Sequence, residues 1–197
     1  MTSNKLDDKY WDKRYIETET GWDIGKVSTP LKEYIDQLEN KHISILIPGC
    51  GNSHEADYLL QEGFTNITLI DISPVLVGLI REKFASAIGK QLHVICGDFF
   101  KLEQQFDLVL EQTFFCALDP LLRKDYVNKM FEVLNPGGKL AGVLFNRAFE
   151  GGPPFGGNMD EYVQLFSEKF VVKTMAACYN SIEPRMGSEV FVVFIKP

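Results

Sequence analysis

Ile45-Leu46-Ile47-Pro48-Gly49-Cys50-Gly51 carries an apolar run straight into a turn with two glycines, and its reading decides the fold. A run of this kind, continuing Ile43, is the size of a strand buried on both faces, as strands of parallel sheets are. Glycines directly after it let the backbone turn sharply and approach a ligand at the carboxyl edge of the sheet. A Gly-x-Gly can equally close an ordinary tight turn. Asp71 adds weight, because it ends the next strand-like run 20 positions past Gly51. There a carboxylate can accept from both hydroxyls of a ribose. The two features together point to an adenosine-type ligand.

The kind of adenosine ligand follows from what the turn lacks. A dinucleotide fingerprint has a third small residue three positions after the second glycine, where a helix packs close beneath a pyrophosphate. Here that position is His54, and no Gly-Lys-Ser/Thr of a P-loop occurs. S-adenosylmethionine has no phosphate and needs neither. Gly97-Asp98-Phe99 follows the third strand-like run, where an aspartate can accept from an adenine amino group and an aromatic ring can lie against the base. Asp98 can also serve as a turn cap. Leu134-Asn135-Pro136-Gly137-Gly138-Lys139-Leu140 resembles a turn common in methyltransferases that use this cofactor, where its part is structural.

Outward from this centre, strand-like runs at 43–47, 67–71, 92–96, 106–111 and 139–145 alternate with helical periodicity at 54–63, 74–88 and 120–134. That alternation predicts a doubly wound parallel sheet. Ser73-Pro74 and Asp119-Pro120 supply a cap and a first-turn proline, and Asn135-Pro136-Gly137-Gly138 stops the third helix. A helix at 158–168 precedes two β-rich runs, 169–179 and 188–196, joined through Pro184 and Gly187 as an antiparallel hairpin. The expected fold is therefore α/β of the Rossmann-like class I methyltransferase type, a mostly parallel seven-stranded sheet closed by a C-terminal hairpin. Residues 1–40 read as two short helices around Gly21-Trp22-Asp23, a cap over the site within a single domain of 1–197.

With 197 residues, 45% of them hydrophobic and 24% charged, the chain has the balance of one globular domain. Its apolar runs are too short to cross a bilayer. Met1-Thr2-Ser3-Asn4-Lys5-Leu6-Asp7-Asp8 has no signal-peptide core, which points to a cytoplasmic address. Cys50, Cys96, Cys116 and Cys178 are widely spaced and, with His42, His54 and His93, make no metal pattern, so reduced thiols and no metal are expected. A net charge of -7 disfavours phosphate backbones, so no nucleic-acid partner is expected. Nor does any feature call for a membrane or an obligate protein partner, which leaves a small molecule as the partner.

Several stretches together carry a more specific resemblance. They are Tyr10-Trp11-Asp12-Lys13-Arg14-Tyr15, Gly21-Trp22-Asp23-Ile24-Gly25, Thr29-Pro30-Leu31, Pro48-Gly49-Cys50-Gly51, Phe114-Phe115-Cys116-Ala117-Leu118-Asp119-Pro120 with Arg123, and Gly151-Gly152-Pro153-Pro154-Phe155. In this order they resemble the thiopurine S-methyltransferase family, and within it the plant-type thiol and halide methyltransferases. The resemblance implies that Trp11, Tyr15 and Trp22 lie over the cofactor, with Gly49, Asp71, Ile72, Asp98, Phe99 and Gln112 completing its pocket. Gln112 departs from the arginine or tyrosine frequent at that position.

The acceptor implied is a thiol, hydrogen sulfide, thiocyanate, a halide or a thiopurine-like compound. Its candidate contacts are Phe115, Cys116, Arg147, Pro154, Phe155 and Arg185, an arginine attracting the anion. No catalytic base is evident, as befits an acceptor that brings its own negative charge. Two other readings stay open: a non-catalytic protein that binds S-adenosylmethionine, and an NAD-dependent oxidoreductase, which His54 and the hairpin disfavour.

Overall fold

The computed structural model describes residues 6–197; residues 1–5, part of the stretch read for a signal peptide, lie outside the described residues. Seven strands form one sheet in the order β3-β2-β1-β4-β5-β7-β6. They are β1 (Ile45–Pro48), β2 (Ile67–Asp71), β3 (Leu92–Cys96), β4 (Phe106–Gln112), β5 (Leu134–Phe145), β6 (Val171–Ala177) and β7 (Glu189–Ile195). β1 to β5 run parallel, while β7 is antiparallel to both β5 and β6, so the hairpin closes the sheet as the sequence predicts.

Side-chain alternation along the strands divides the core between two faces. Ile45, Ile47, Leu108 and Leu110 point to one face, against Leu31 and Ile35 of α2 (Thr29–Asp36), Leu59 of α3 (His54–Gln61), and Leu76 and Ile80 of α4 (Pro74–Lys83). Leu46 and Val109 point to the other. There α5 (Arg123–Val133) contributes Tyr126 and Met130, and α6 (Met159–Ser167) contributes Tyr162 and Phe166. Phe166 stacks on Phe194 of β7, ring centres 4.2 Å apart. The first helix, α1 (Asp8–Ile16), buries no residue of its own and packs on α4.

Two sequence boundaries shift for physical reasons. The helix expected over 120–134 is α5 preceded by a 3-10 turn at Pro120–Leu122, because Asp119 accepts from the Leu121 N–H at 2.9 Å and closes that turn by itself. The Asn135-Pro136-Gly137-Gly138 turn stops α5 as expected, yet it is a bulge inside β5: pairing steps from Phe106↔Leu134 to Leu108↔Lys139. None of the described helices is long and apolar enough to cross a membrane.

Sheet order reverses between β1 and β4, since β2 leaves on one side of β1 and β5 on the far side of β4. In open α/β sheets the crevice at such a reversal, beyond the carboxyl ends of the strands, is where ligands bind. Gly49 to Gly51 and Gln112 to Phe114 stand at its two lips.

Candidate active site

A cleft of about 1020 Å3 opens at this reversal. Its floor is left-handed backbone: Gly49 (φ +54°) and Gly51 (φ +50°) after β1, Ser53 (φ 54°) before α3, and Thr113 (φ 63°) after β4. Non-glycine residues rarely hold this conformation, and when they do it clusters at functional sites. A Cβ on Gly49 would overlap the Phe114 ring, so glycine is required there for space as well as for φ.

Asp71 ends β2 at the cleft wall, 8% exposed. Its Oδ1 accepts from the Ser73 N–H at 3.0 Å, and the backbone N–H groups of Gly51 and Ile72 also favour its charge. Burial outweighs them and, with Asp12 nearby, pushes the carboxyl up to about 6. The group is enclosed and lines the cleft, and its two oxygens can accept more bonds than these backbone donors make. Asp98 caps the turn Phe99–Lys101 by accepting from the Phe100 N–H at 3.0 Å, and both Asp98 and Phe99 line the cleft.

Above the floor, the rings of Trp11 and Trp22 meet edge to face at 5.6 Å, and Tyr15 meets Trp22 at 5.9 Å. Trp22 is pinned from two sides. Asp23, beside it in the chain, accepts from the Asn52 amide, lies 2.7 Å from His54 Nε2 and accepts from the Gly25 N–H at 2.7 Å. From the opposite bank Arg185 donates to the Trp22 carbonyl at 2.8 Å.

All nine residues assigned to the cofactor side, Trp11, Tyr15, Trp22, Gly49, Asp71, Ile72, Asp98, Phe99 and Gln112, line this one cleft. On the acceptor side Cys116, Arg147, Pro154 and Arg185 line it too, but Phe115 and Phe155 do not. Phe115 is a core residue: the 3-10 turn at Phe115–Ala117 aims it inward beneath the Arg123 guanidinium (5.0 Å) and beside Tyr126 (4.9 Å), while its neighbour Phe114 faces the cleft. Phe155 tethers the Gly151–Gly157 loop through its N–H to the Cys116 carbonyl at 2.6 Å, with its ring folded over Gly152. Arg147 stands exposed on the rim over Phe149, at 4.7 Å. Arg185 is occupied by the Trp22 carbonyl and by Glu189 at 3.5 Å. Burial pushes the Cys116 thiol well up, so it stays protonated.

Sequence reasoning did not find Phe114, the bond from Ser28 Oγ to Gln112 Oε1 (2.7 Å), or the Asp23 and His54 pair. The last two join residues 84 and 31 positions apart, and no local pattern marks them. Glu111 carried a signal, as an acid at the end of an apolar strand. It is fully buried and does not line the cleft; it accepts from the N–H groups of Phe114 (2.8 Å) and Phe115 (3.0 Å) and from the Tyr126 hydroxyl (2.6 Å).

Comparison with known proteins identifies what this geometry belongs to. The family model for thiopurine S-methyltransferase matches residues 6–194. The chain belongs to the thiopurine S-methyltransferase family. Probable thiol methyltransferase 2 of Arabidopsis thaliana is 28% identical over 184 residues, covering 91% of this chain and 81% of the relative. Thiopurine S-methyltransferase of Nitrosospira multiformis is 25% identical over 187 residues, covering 85% and 84%. Among solved structures, 1,6-didemethyltoxoflavin-N1-methyltransferase of Burkholderia thailandensis, with S-adenosylhomocysteine bound, has a TM-score of 0.74 at 16% identity over 96% of this chain and 86% of its own. That likeness extends to the fold, the class I methyltransferase sheet. Family membership makes the protein a methyltransferase with S-adenosylmethionine as cofactor and removes the oxidoreductase reading.

Proposed function

We propose that the chain transfers a methyl group from S-adenosylmethionine to a small, soft, anionic acceptor, a thiolate, hydrosulfide, thiocyanate, halide or thiopurine-like thiolate, with residues 1–40 acting as a cap on a single domain. The observation that carries this reading is the convergence of Asp71, the left-handed glycines and the three-ring aromatic wall on one cleft. These residues fit the cofactor. Asp71 offers the two hydroxyls of a ribose a carboxylate with acceptor capacity beyond its backbone donors. Gly49 and Gly51 leave room where a Cβ would stand, and Phe99 and Asp98 suit a purine face and its amino group. Faces of Trp11, Tyr15 and Trp22 stabilise a sulfonium by roughly 0.5–2 kcal/mol in a desolvated site.

When bound, held by Asp71, Gly49, Gly51 and the three rings, S-adenosylmethionine would supply an electrophilic methyl on a sulfonium sulfur, with a neutral thioether as the leaving group. The chain's residues orient and exclude water, and orientation alone lowers such a barrier by up to ~7–11 kcal/mol. Phe114, Leu118, Phe145 and Pro154 give the acceptor bank an apolar lining, and Arg147 at the rim attracts an anion. Cys116, held protonated, does not compete for the methyl group. The mechanism asks for no base: Glu111 is sealed in by three donors, and Asp119, which lines the cleft, has its Oδ1 engaged in capping the Leu121 N–H.

The test is production of S-adenosylhomocysteine with a panel of thiols, halides and thiopurines. Failure with every acceptor while S-adenosylmethionine still binds would leave a non-catalytic binding protein. Within the panel, the acceptor's second-order rate constant should rise with pH for a small thiol through its own pKa of ~8.5 and stay flat for iodide or thiocyanate. A bend at one common pH for both classes would reveal a protein base and overturn the base-free mechanism.

Asp71 adds a second pH effect. Its carboxyl is pushed up to about 6 against an ordinary 3.8, so part of the ligand-free protein's stability, full below 3.8, is lost as pH rises through 6. Ribose hydroxyls donate to the ionised form and so favour it. S-adenosylmethionine binding should therefore release protons near pH 6 and weaken as pH falls from 7 to 5, which calorimetry in two buffers of different ionisation enthalpy would read. Affinity independent of pH over that range would remove the ribose from Asp71.

A further inference from the structure

Besides the bond from Arg185 to the Trp22 carbonyl, the segment that carries the aromatic wall meets the sheet domain through two carboxylates, and each lands beside the cofactor floor. Asp12, next to Trp11, accepts through Oδ1 from the Ser73 hydroxyl at 2.5 Å and from the Val75 N–H at 3.1 Å. The same Ser73 donates its own N–H to Asp71 and caps Leu76 N–H with its hydroxyl oxygen. The first turn of α4 is thus capped partly by its own serine and partly by a residue of α1, one residue beyond the cofactor-side pair Asp71 and Ile72. Asp23, next to Trp22, makes the matching contact on the other flank, with Asn52 and His54 at the start of α3, directly beyond Gly51. Trp11, Tyr15 and Trp22 span the gap between the two attachments.

No residue of α1 is fully buried, and its apolar hold is partial: Tyr15 packs on the edge of the core and Trp11 on Trp22. Its attachment therefore rests in part on these polar contacts, and hydrogen bonds to a charged acceptor are the strong kind. We propose that Asp12 and Asp23 are positioning residues, a pair of latches that hold the aromatic segment closed over the cofactor, and that their release sets the rate at which S-adenosylhomocysteine leaves. The proposal rests on the assignment of the cleft to S-adenosylmethionine. Neither latch touches the reacting atoms. Each acts through the indole beside it, and the Asp12 latch acts also through the serine that orders Asp71.

The experiment is stopped-flow tryptophan fluorescence of S-adenosylhomocysteine dissociation from the full chain, since both tryptophans sit on the moving segment. Asp12→Ala and Asp23→Ala should each speed dissociation by at least about tenfold, since one charge-assisted hydrogen bond is worth that factor and each carboxylate makes two or more. Asp12→Asn keeps an oxygen for Ser73 and Val75 and should stay within about threefold of the unaltered chain. A merely structural role for Asp12 would lower the melting temperature and leave dissociation unmoved. Asp23 lies on a loop outside the core, so Asp23→Ala carries the test even if Asp12→Ala fails to fold. Unchanged dissociation in folded Asp23→Ala, or in folded Asp12→Ala, overturns the latch. Absence of S-adenosylhomocysteine binding to the unaltered chain would overturn the cleft assignment itself, and with it the latch.

Discussion

Asp71→Ala is expected to weaken S-adenosylmethionine binding by at least ~1.5 kcal/mol, more than tenfold in dissociation constant, the scale of a hydrogen bond to a charged group. The proposed contact is two ribose hydroxyls donating to a carboxylate that is 8% exposed and already held by backbone N–H groups on one side. Enclosure makes the loss large, because the hydroxyls would otherwise be buried without an acceptor. Asp71→Asn keeps one oxygen and should lose less. Isothermal titration calorimetry of the three proteins gives the order directly, and a dissociation constant unchanged in the alanine variant would take Asp71 out of the cofactor site. The alanine variant should also lose the proton release near pH 6, which ties the affinity and the titration to one carboxyl.

A larger effect, on folding, is expected at Glu111. Glu111→Ala strips the acceptor from the N–H of Phe114 at the cleft edge and from the N–H of Phe115 and the Tyr126 hydroxyl in the core. A buried donor without a partner costs ~1–3 kcal/mol, so the variant should lose roughly 3–6 kcal/mol, a large part of a small domain's stability. Glu111→Gln retains an oxygen for the two N–H groups and should lose far less. Burial pushes the Glu111 carboxyl from 4.5 up to about 7. Its contribution to stability is therefore full below 4.5 and falls away as pH rises through 7, a slope that Glu111→Gln should lack. Urea unfolding at pH 5 and pH 8 would measure both effects. If the alanine variant matched the parent in stability, the turn from Gln112 to Ala117 would have to hold its shape without this carboxylate.

The parallel core of the fold was legible because buried strands and amphipathic helices are written locally, in runs such as Ile45-Leu46-Ile47 and in caps such as Ser73-Pro74. The floor and walls of the cleft were legible for a related reason: Gly49, Asp71, Asp98 and Gln112 sit where strands end, at positions the sheet topology specifies. The acceptor side was less so. Phe114 and Phe115 are adjacent and chemically identical, and which one faces the cleft depends on a 3-10 turn set by Glu111 from within the core. Arg185 looked like a free cation in the sequence, but its carbonyl partner at Trp22 lies 163 positions away. Contacts of that span depend on how the N-terminal segment folds back, and no periodicity records it.

Arg185 also bears on how such an enzyme changes over evolutionary time. Its bond to the Trp22 carbonyl crosses from the loop before β7, on the acceptor bank, to the ring stack proposed to cover the cofactor. Donor and acceptor halves of the cleft thus share a fastening. A lineage that alters this loop to accept a new nucleophile also disturbs the cover over a cofactor it must keep. Substitutions at Arg147 and Pro154, which carry no such tie among the described contacts, leave that cover alone. Drift in acceptor preference has its freer path through the rim.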